Sequence, residues 1–278
     1  MKEKLVKLKN AEVYYWQNEQ RKGRTGLLLI HGFRGDHNGL RFIAEYLVDD
    51  YNITIPDLPG FGKSSEFREG KHDLENYVEI LEDFIGAAGL RQPVVVAHSF
   101  GTILSSRLAE KTPELISDKL ILICPIAKLA TKGVAKKITD MAIAAGRRLP
   151  GGVGKRITGS KLVADAVTLK MTRTKDVDLK RRVKEEHRKY FGDFSSNKSM
   201  LEGLTTSNNH HVGMFADKVG KNVLVVATEL DDFSSIEDQQ KLAKQFARGQ
   251  IKIIRGTGHL VHYEKPEDVA GAVRKFVS

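Results

Sequence analysis

Val94-Val-Val-Ala97-His98-Ser99-Phe100-Gly101 is the stretch of this 278-residue sequence on which the reading of the fold turns. Three consecutive valines leave no polar face, the pattern of a strand covered on both sides. From Thr102 to Glu110 the apolar positions switch to helical spacing. Ser99 therefore stands on a sharp strand-to-helix turn that lifts its hydroxyl clear of the strand end. A serine held in a strained backbone conformation accepts only small residues two positions to either side, and Ala97 and Gly101 are both small.

Outward from this turn, short β-branched runs recur at Leu27–Ile30, Ile53–Ile55, Leu120–Ile123, Val223–Val226 and Ile251–Ile254. Like Val94–Val96 they read as strands of a parallel sheet buried on both faces. Helical spacing over Leu40–Leu47, Leu74–Ala88, Thr102–Glu110, Ile236–Phe246 and Pro266–Val277 separates most of them, which predicts a layered α/β fold: a mostly parallel central sheet flanked by helices. Lys4–Tyr15 supplies leading antiparallel strands. Between Pro125 and Phe215 the alternation stops, and helical patterning continues without strands, broken at Leu149-Pro-Gly-Gly-Val-Gly154. This predicts a core of residues 1–124 and 216–278 and a helical cap inserted over 125–215. About four helices fit the insertion, with Ser160 and Asp176 as N-caps of two.

Three further motifs fall at strand ends. Ile30-His31-Gly32-Phe33 closes one strand, Asp57-Leu-Pro-Gly60-Phe-Gly62-Lys-Ser64 makes a tight turn after another, and Gly256-Thr-Gly258-His259-Leu-Val-His262-Tyr-Glu264 follows the last. Together with the serine turn they resemble the α/β-hydrolase fold superfamily, with Ala97 where the family's nucleophile elbow usually has its first glycine. The resemblance covers roughly residues 10 to 124 and 218 to 278. It implies a serine hydrolase with Ser99 as nucleophile and His259 as general base. It also implies an oxyanion hole made by the backbone N–H groups of Phe33 and Phe100, whose rings either line an acyl pocket or fill core.

The family places the orienting carboxylate on the loop after the preceding strand, here Thr228-Glu229-Leu230-Asp231-Asp232. Thr228 replaces the usual glycine and Ser235 stands near the usual proline, so the resemblance points to Asp231 with Asp232 in reserve and Glu229 third. Asp57, ahead of a Pro-Gly turn, is expected to hydrogen-bond its own loop. His31 and His98 read as structural, and His262 and Glu264 as anchors of the histidine loop. His187, His210 and His211 lack Cys or carboxylate partners at ligand spacing, so no metal is expected, and the triad chemistry needs no cofactor.

The resemblance implies cleavage of a carboxylic ester, as in an esterase or lipase, through an acyl-enzyme. It leaves open C–C hydrolysis of a diketone-like substrate and a non-catalytic ligand-binding member of the fold. Family members that act on epoxides or carbon–halogen bonds usually carry aspartate at the nucleophile position, and Ser99 argues against them.

A single cysteine, Cys124, within an apolar run reads as a small buried hydrophobe and gives no disulfide framework. The charged start, with no apolar run of signal-peptide length, and the lack of any stretch near the roughly eighteen apolar residues of a membrane span predict a cytoplasmic protein. The formal charge is +10. Residues 125–215 hold 19 Lys and Arg against 8 Asp and Glu, and the remainder 26 against 27, so the whole surplus lies in the insertion. Dense runs occur at Arg147-Arg148, Lys155-Arg156 and Lys180-Arg181-Arg182-Val-Lys184, beside apolar Val134, Ile138, Met141 and Ile143. Either this is a solvated helix face or it attracts an anionic small-molecule or lipid-like ester, or an anionic membrane surface. No nucleic-acid motif accompanies it, and no nucleic-acid partner is expected.

Overall fold

A computed structural model describes residues 1–129 and 160–278 of the chain. One eight-stranded sheet has the order β1-β2-β4-β3-β5-β6-β7-β8. β1 (Lys2–Lys7) and β2 (Glu12–Gln17) form the leading antiparallel pair, with Lys2 opposite Gln17 and Lys7 opposite Glu12. β3 (Gly26–Ile30), β4 (Asn52–Pro56), β5 (Val94–His98), β6 (Lys119–Ile123), β7 (Asn222–Thr228) and β8 (Arg248–Ile254) run parallel to one another. β4 also pairs antiparallel with β2, which joins the hairpin to the parallel sheet.

Strand periodicity explains the uninterrupted apolar runs. Leu27, Leu29, Val94, Val96, Ile121 and Ile123 face one layer, while Leu28, Ile30, Val95, Ala97, Leu120 and Leu122 face the other. On the core side of the chain the helices are α1 (His37–Glu45), α2 (Leu74–Ala87) and α3 (Phe100–Lys111). Leu40 and Ile43 of α1 pack in the first layer, Val78 and Leu81 of α2 and Ile103 and Leu104 of α3 in the second. β8 departs from the expectation of burial on both faces. It is the edge strand, and Ile251 is exposed, because among the described residues nothing pairs beyond it in the sheet.

After β6 come α4 (Lys161–Met171), α5 (Val177–Tyr190) and α6 (Asn197–Asn209). Asp176 caps α5 by accepting from the N–H groups of Asp178 and Leu179, as its position before the helix predicts. Ser160 directly precedes α4, and its carbonyl accepts from Ala164 N at 3.0 Å. Ser196 caps α6 through a reciprocal bond with Ser199. The expected break at residues 149–154, the basic pairs at 147–148 and 155–156, and Val134, Ile138, Met141 and Ile143 lie outside the described residues. α7 (Ile236–Gln245), the short α8 (Val261–Glu264) and α9 (Pro266–Val277) complete the chain. Among the described residues no helix is long and apolar enough to cross a membrane.

Candidate active site

β5 ends at His98 and α3 begins at Phe100, which leaves Ser99 alone on the turn. Its backbone sits at φ +52°, a left-handed conformation strained for any side chain. Main-chain bonds hold it there: Ser99 N donates to Ile123 O at 3.0 Å, and Thr102 N donates to Ser99 O at 2.9 Å. The turn also needs a residue without a side chain at Gly101. A Cβ there would lie 2.6 Å from Ile30 O and 2.8 Å from His31 O, because α3 starts directly against the end of β3.

Ser99 Oγ is 2.8 Å from His259 Nε2, and His259 Nδ1 is 3.1 Å from each carboxylate oxygen of Asp231. The chain of bonds is consistent with the serine hydroxyl donating to Nε2 and the Nδ1–H donating to Asp231. Side chains from the loops after β5, β7 and β8 thus meet at the carboxyl ends of the parallel strands. Burial alone would raise the Asp231 carboxyl. The facing His259 and the N–H of Phe233, which donates to Asp231 Oδ1 at 2.8 Å, outweigh it and hold the group below its ordinary range.

The neighbouring carboxylates point elsewhere. Asp232 is exposed and pairs with the Arg173 guanidinium. Glu229 accepts from Gly256 N at 2.9 Å and pairs with Arg255. Asp57 binds its own loop and the start of α1, accepting from His37 N at 2.8 Å and Lys63 N at 2.9 Å, in line with its position before a Pro-Gly turn.

Phe100 opens α3, where a helix leaves its N–H groups without intrahelical acceptors. Gly32 lies against the serine turn, so close that a Cβ on it would be 3.1 Å from Ser99 Cβ, and this brings the Phe33 main chain alongside. The Phe100 ring is core. Phe33 is half-buried over it, with ring centroids 6.2 Å apart, and also packs on Phe61 and Phe194.

The other histidines of the site serve the scaffold. His31 donates through Nδ1 to Gly32 O at 2.8 Å and accepts from Leu58 N at 2.9 Å through Nε2. His98 donates through Nε2 to the carbonyl of His259 at 3.0 Å, and burial, reinforced by His259, pushes its pKa down to about 3. His262 and Glu264 divide the anchoring role expected of both. The His262 ring packs 4.2 Å from that of His98, while its buried Nδ1 has no hydrogen-bond partner among the described residues. Glu264 makes the bonds: it accepts from the Thr257 hydroxyl, from Gly258 N, and from the N–H groups of Arg173 and Thr174 that follow α4.

Two residues at the site escaped the sequence reading. The Phe233 ring lies 4.4 Å from that of His259, and Arg173 ties the segment after α4 to Asp232. An apolar ring directly after the two candidate acids was a usable signal for the first. The second depends on contact between residues 59 apart in sequence, which no local pattern displays.

Among the described residues two groups place possible metal ligands close together: His98, Cys124 and His259, and Asp36, His37 and Asp57. Neither suits an ion. Both ring nitrogens of His259 are engaged by Ser99 and Asp231, and burial pushes the Cys124 thiol well up, away from the thiolate a metal needs. Asp36 caps α1 through Asn38 N, and Asp57 is saturated by its loop. His187, His210 and His211 are each bonded separately, to Thr168 Oγ1, Thr206 O and Ala127 O.

A mostly parallel eight-stranded sheet with its polar constellation at the ends of β5, β7 and β8 defines the α/β-hydrolase fold. The Alpha/beta hydrolase family pattern matches residues 27–272, and the chain belongs to that family. It is 25% identical over 270 residues to the "Uncharacterized hydrolase YugF" of Bacillus subtilis (strain 168), covering 95% of this chain and 93% of that protein. It is 24% identical to "Lipase 3" of Moraxella sp. (strain TA144), covering 95% of this chain and 81% of that one. A thermophilic esterase from Thermogutta terrifontis has the same fold, with a TM-score of 0.81 at 21% identity over 99% of this chain and 98% of that one. The protein is a hydrolase whose relatives include a lipase.

Proposed function

We propose that the protein hydrolyses a carboxylic ester, with Ser99 as nucleophile, His259 as general base and then general acid, and Asp231 as the group that orients the imidazole and stabilises the imidazolium. The observation that carries this reading is the continuous hydrogen-bonded chain Ser99–His259–Asp231 beginning at a serine in a strained left-handed turn. The Ser99 oxygen attacks the ester carbonyl carbon as its proton passes to His259 Nε2. The N–H groups of Phe33 and Phe100 hold the oxyanion. Collapse expels the alcohol, which takes the proton from His259. Water then repeats the sequence on the acyl-enzyme, releasing the acid and restoring Ser99. In the same reading the described part of the insertion, residues 160–215, caps this site, supported by the attachment of the segment after α4 to Glu264 and Asp232.

A fluorophosphonate probe tests the reading directly. Wild type is labelled covalently, Ser99→Ala is folded and unlabelled, and a chain-length series of esters is turned over by wild type alone. A folded wild type that neither labels nor hydrolyses any ester rejects it in favour of a ligand-binding protein, and turnover confined to diketones rejects ester cleavage in favour of C–C cleavage.

A further inference from the structure

The two most exposed large apolar side chains among the described residues are Leu169, 81% exposed, and Val177, 75% exposed. They lie on either side of one turn. α4 and α5 form an antiparallel hairpin, joined by the Asp165–Arg188 pair and the Thr168–His187 bond, with Met171 and Val183 packed in one cluster against Tyr263. The turn of that hairpin rests on the loops that carry the proposed triad. Arg173 N and Thr174 N donate to Glu264, which also holds the His259 loop, and the Arg173 guanidinium pairs with Asp232 beside Asp231. On the adjoining loop Leu230 and Phe233 are 45% and 53% exposed, and the Phe233 ring touches His259.

Scattered exposed apolar residues need no partner, but these four lie on two segments that the Arg173–Asp232 pair clamps together, and together they make an apolar rim. Cations flank it. Lys170, Lys175 and Lys180 are exposed, and among the described residues none of them has an ion-pair partner. The nearby acids are already used, Asp176 capping α5 and Asp178 pairing with Arg181. An apolar edge bordered by unpaired lysines complements a surface with an apolar interior and anionic headgroups.

We propose that this rim, with Leu169 and Val177 as its outermost apolar residues and Lys170, Lys175 and Lys180 beside them, docks on an anionic lipid surface and turns the mouth of the Ser99 site towards it. The importance of the docking for substrate delivery rests on the ester-hydrolase reading, whereas the docking itself does not. The test is therefore sedimentation of full-length Ser99→Ala with vesicles of phosphatidylcholine alone or mixed with phosphatidylglycerol, at low and at physiological salt.

Binding is expected to the anionic vesicles and to weaken as salt rises. The double change Leu169→Ser and Val177→Ser should weaken it by about tenfold or more, and Lys175→Gln or Lys180→Gln by about fivefold each. None of these changes should alter hydrolysis of a short soluble ester in the Ser99 background. No binding, or equal binding to neutral vesicles, overturns the proposal. Binding to immobilised polyglutamate that matches the vesicles and ignores the Leu169 and Val177 changes overturns it in favour of an acidic protein. Salt-sensitive turnover of soluble anionic esters without vesicle binding overturns it in favour of a small anionic substrate. Vesicle binding by a protein that hydrolyses no ester leaves the docking standing and rejects only the ester-hydrolase reading.

Discussion

The Nε2–H of His98 donates to the main-chain carbonyl of His259 at 3.0 Å, a bond between residues 161 positions apart. His98 is covalently next to Ser99, so one buried imidazole fixes the loop bearing the proposed base relative to the proposed nucleophile. Burial keeps the ring neutral, which suits this role, because a neutral ring with its proton on Nε2 can make the bond without placing a second charge beside His259. The 2.8 Å contact between Ser99 and His259 thus rests on a residue that takes no proton in the proposed reaction.

His98→Ala should consequently lower kcat by about 10- to 100-fold while KM for a short ester changes little, since misplacement of a reacting group falls on the chemical step. The matching measurement is steady-state kinetics beside a melting curve that shows the variant folded. A fall in kcat/KM carried wholly by KM would mean that His98 shapes substrate binding instead.

The choice between the two adjacent acids is equally open to test. Asp231→Asn should cost on the order of 10³- to 10⁴-fold in kcat, because an amide neither holds the imidazole tautomer nor stabilises the imidazolium. Asp232→Asn, which loses only a pair with Arg173, should stay within a few-fold of wild type. Equal losses would show that the loop as a whole, rather than Asp231, supports His259.

These residues show what the sequence could disclose. The serine turn, the strands and the order of the motifs are local patterns, and they were legible because a strand covered on both faces must be apolar throughout and a strained turn must be flanked by small residues. Asp231 was legible only as one of three carboxylates, since its distinction is a contact with His259 across 28 residues. The exposure of β8 was missed because its apolar Ile251-Lys-Ile-Ile254 run carries no sign that it lies at the sheet edge. The attachment of the α4–α5 turn through Glu264 and Arg173 was hidden for the same reason: hydrogen bonds between distant loops follow from the fold and leave no period in the chain.

Close approach of α3 to the end of β3 makes a stability prediction. Gly101→Ala places a methyl against the carbonyls of Ile30 and His31, main-chain atoms that cannot rotate away. It should destabilise by about 1–3 kcal/mol and lower activity at temperatures where the fold persists, by shifting the serine turn. Urea unfolding supplies the comparison, with a surface change such as Gly23→Ser in the connection between β2 and β3 unsuited as control because Gly23 has φ +84°. Gly86, where a Cβ meets nothing within 4 Å, is the proper one: Gly86→Ala should be neutral or stabilising in helix α2. Equal effects at the two positions would remove the steric argument.

The buried histidines set the response to acid. Burial is the largest cause that lowers His31, His72, His98, His187 and His262, with His72 and His187 brought to about 4 and His98 to about 3. The ordinary histidine value is 6.5, so below that pH the unfolded chain binds protons that the folded chain refuses. Stability therefore rises with pH across this range and is lost as pH falls from about 6.5 towards 4. Asp36 acts in the opposite sense, because burial and then Asp57 raise its carboxyl to about 6, but one carboxyl cannot balance five imidazoles. Asp231, held low, keeps its contribution until the pH falls below the ordinary carboxylate range. The expected result is a melting temperature that is level from pH 7 upward with respect to these groups and declines steadily below 6.5. His187 permits a clean dissection: its ring is stacked 4.5 Å from Phe191, and Thr168 Oγ1, which receives its Nδ1–H, has a second bond to Ala164 O. His187→Phe keeps the stack, leaves Thr168 bonded and removes one protonatable group. The variant should lose less stability than wild type between pH 6.5 and 4, by about 3 kcal/mol. Parallel pH profiles for the two proteins would show that His187 is already protonated in the fold, and would move the acid sensitivity to the remaining four rings.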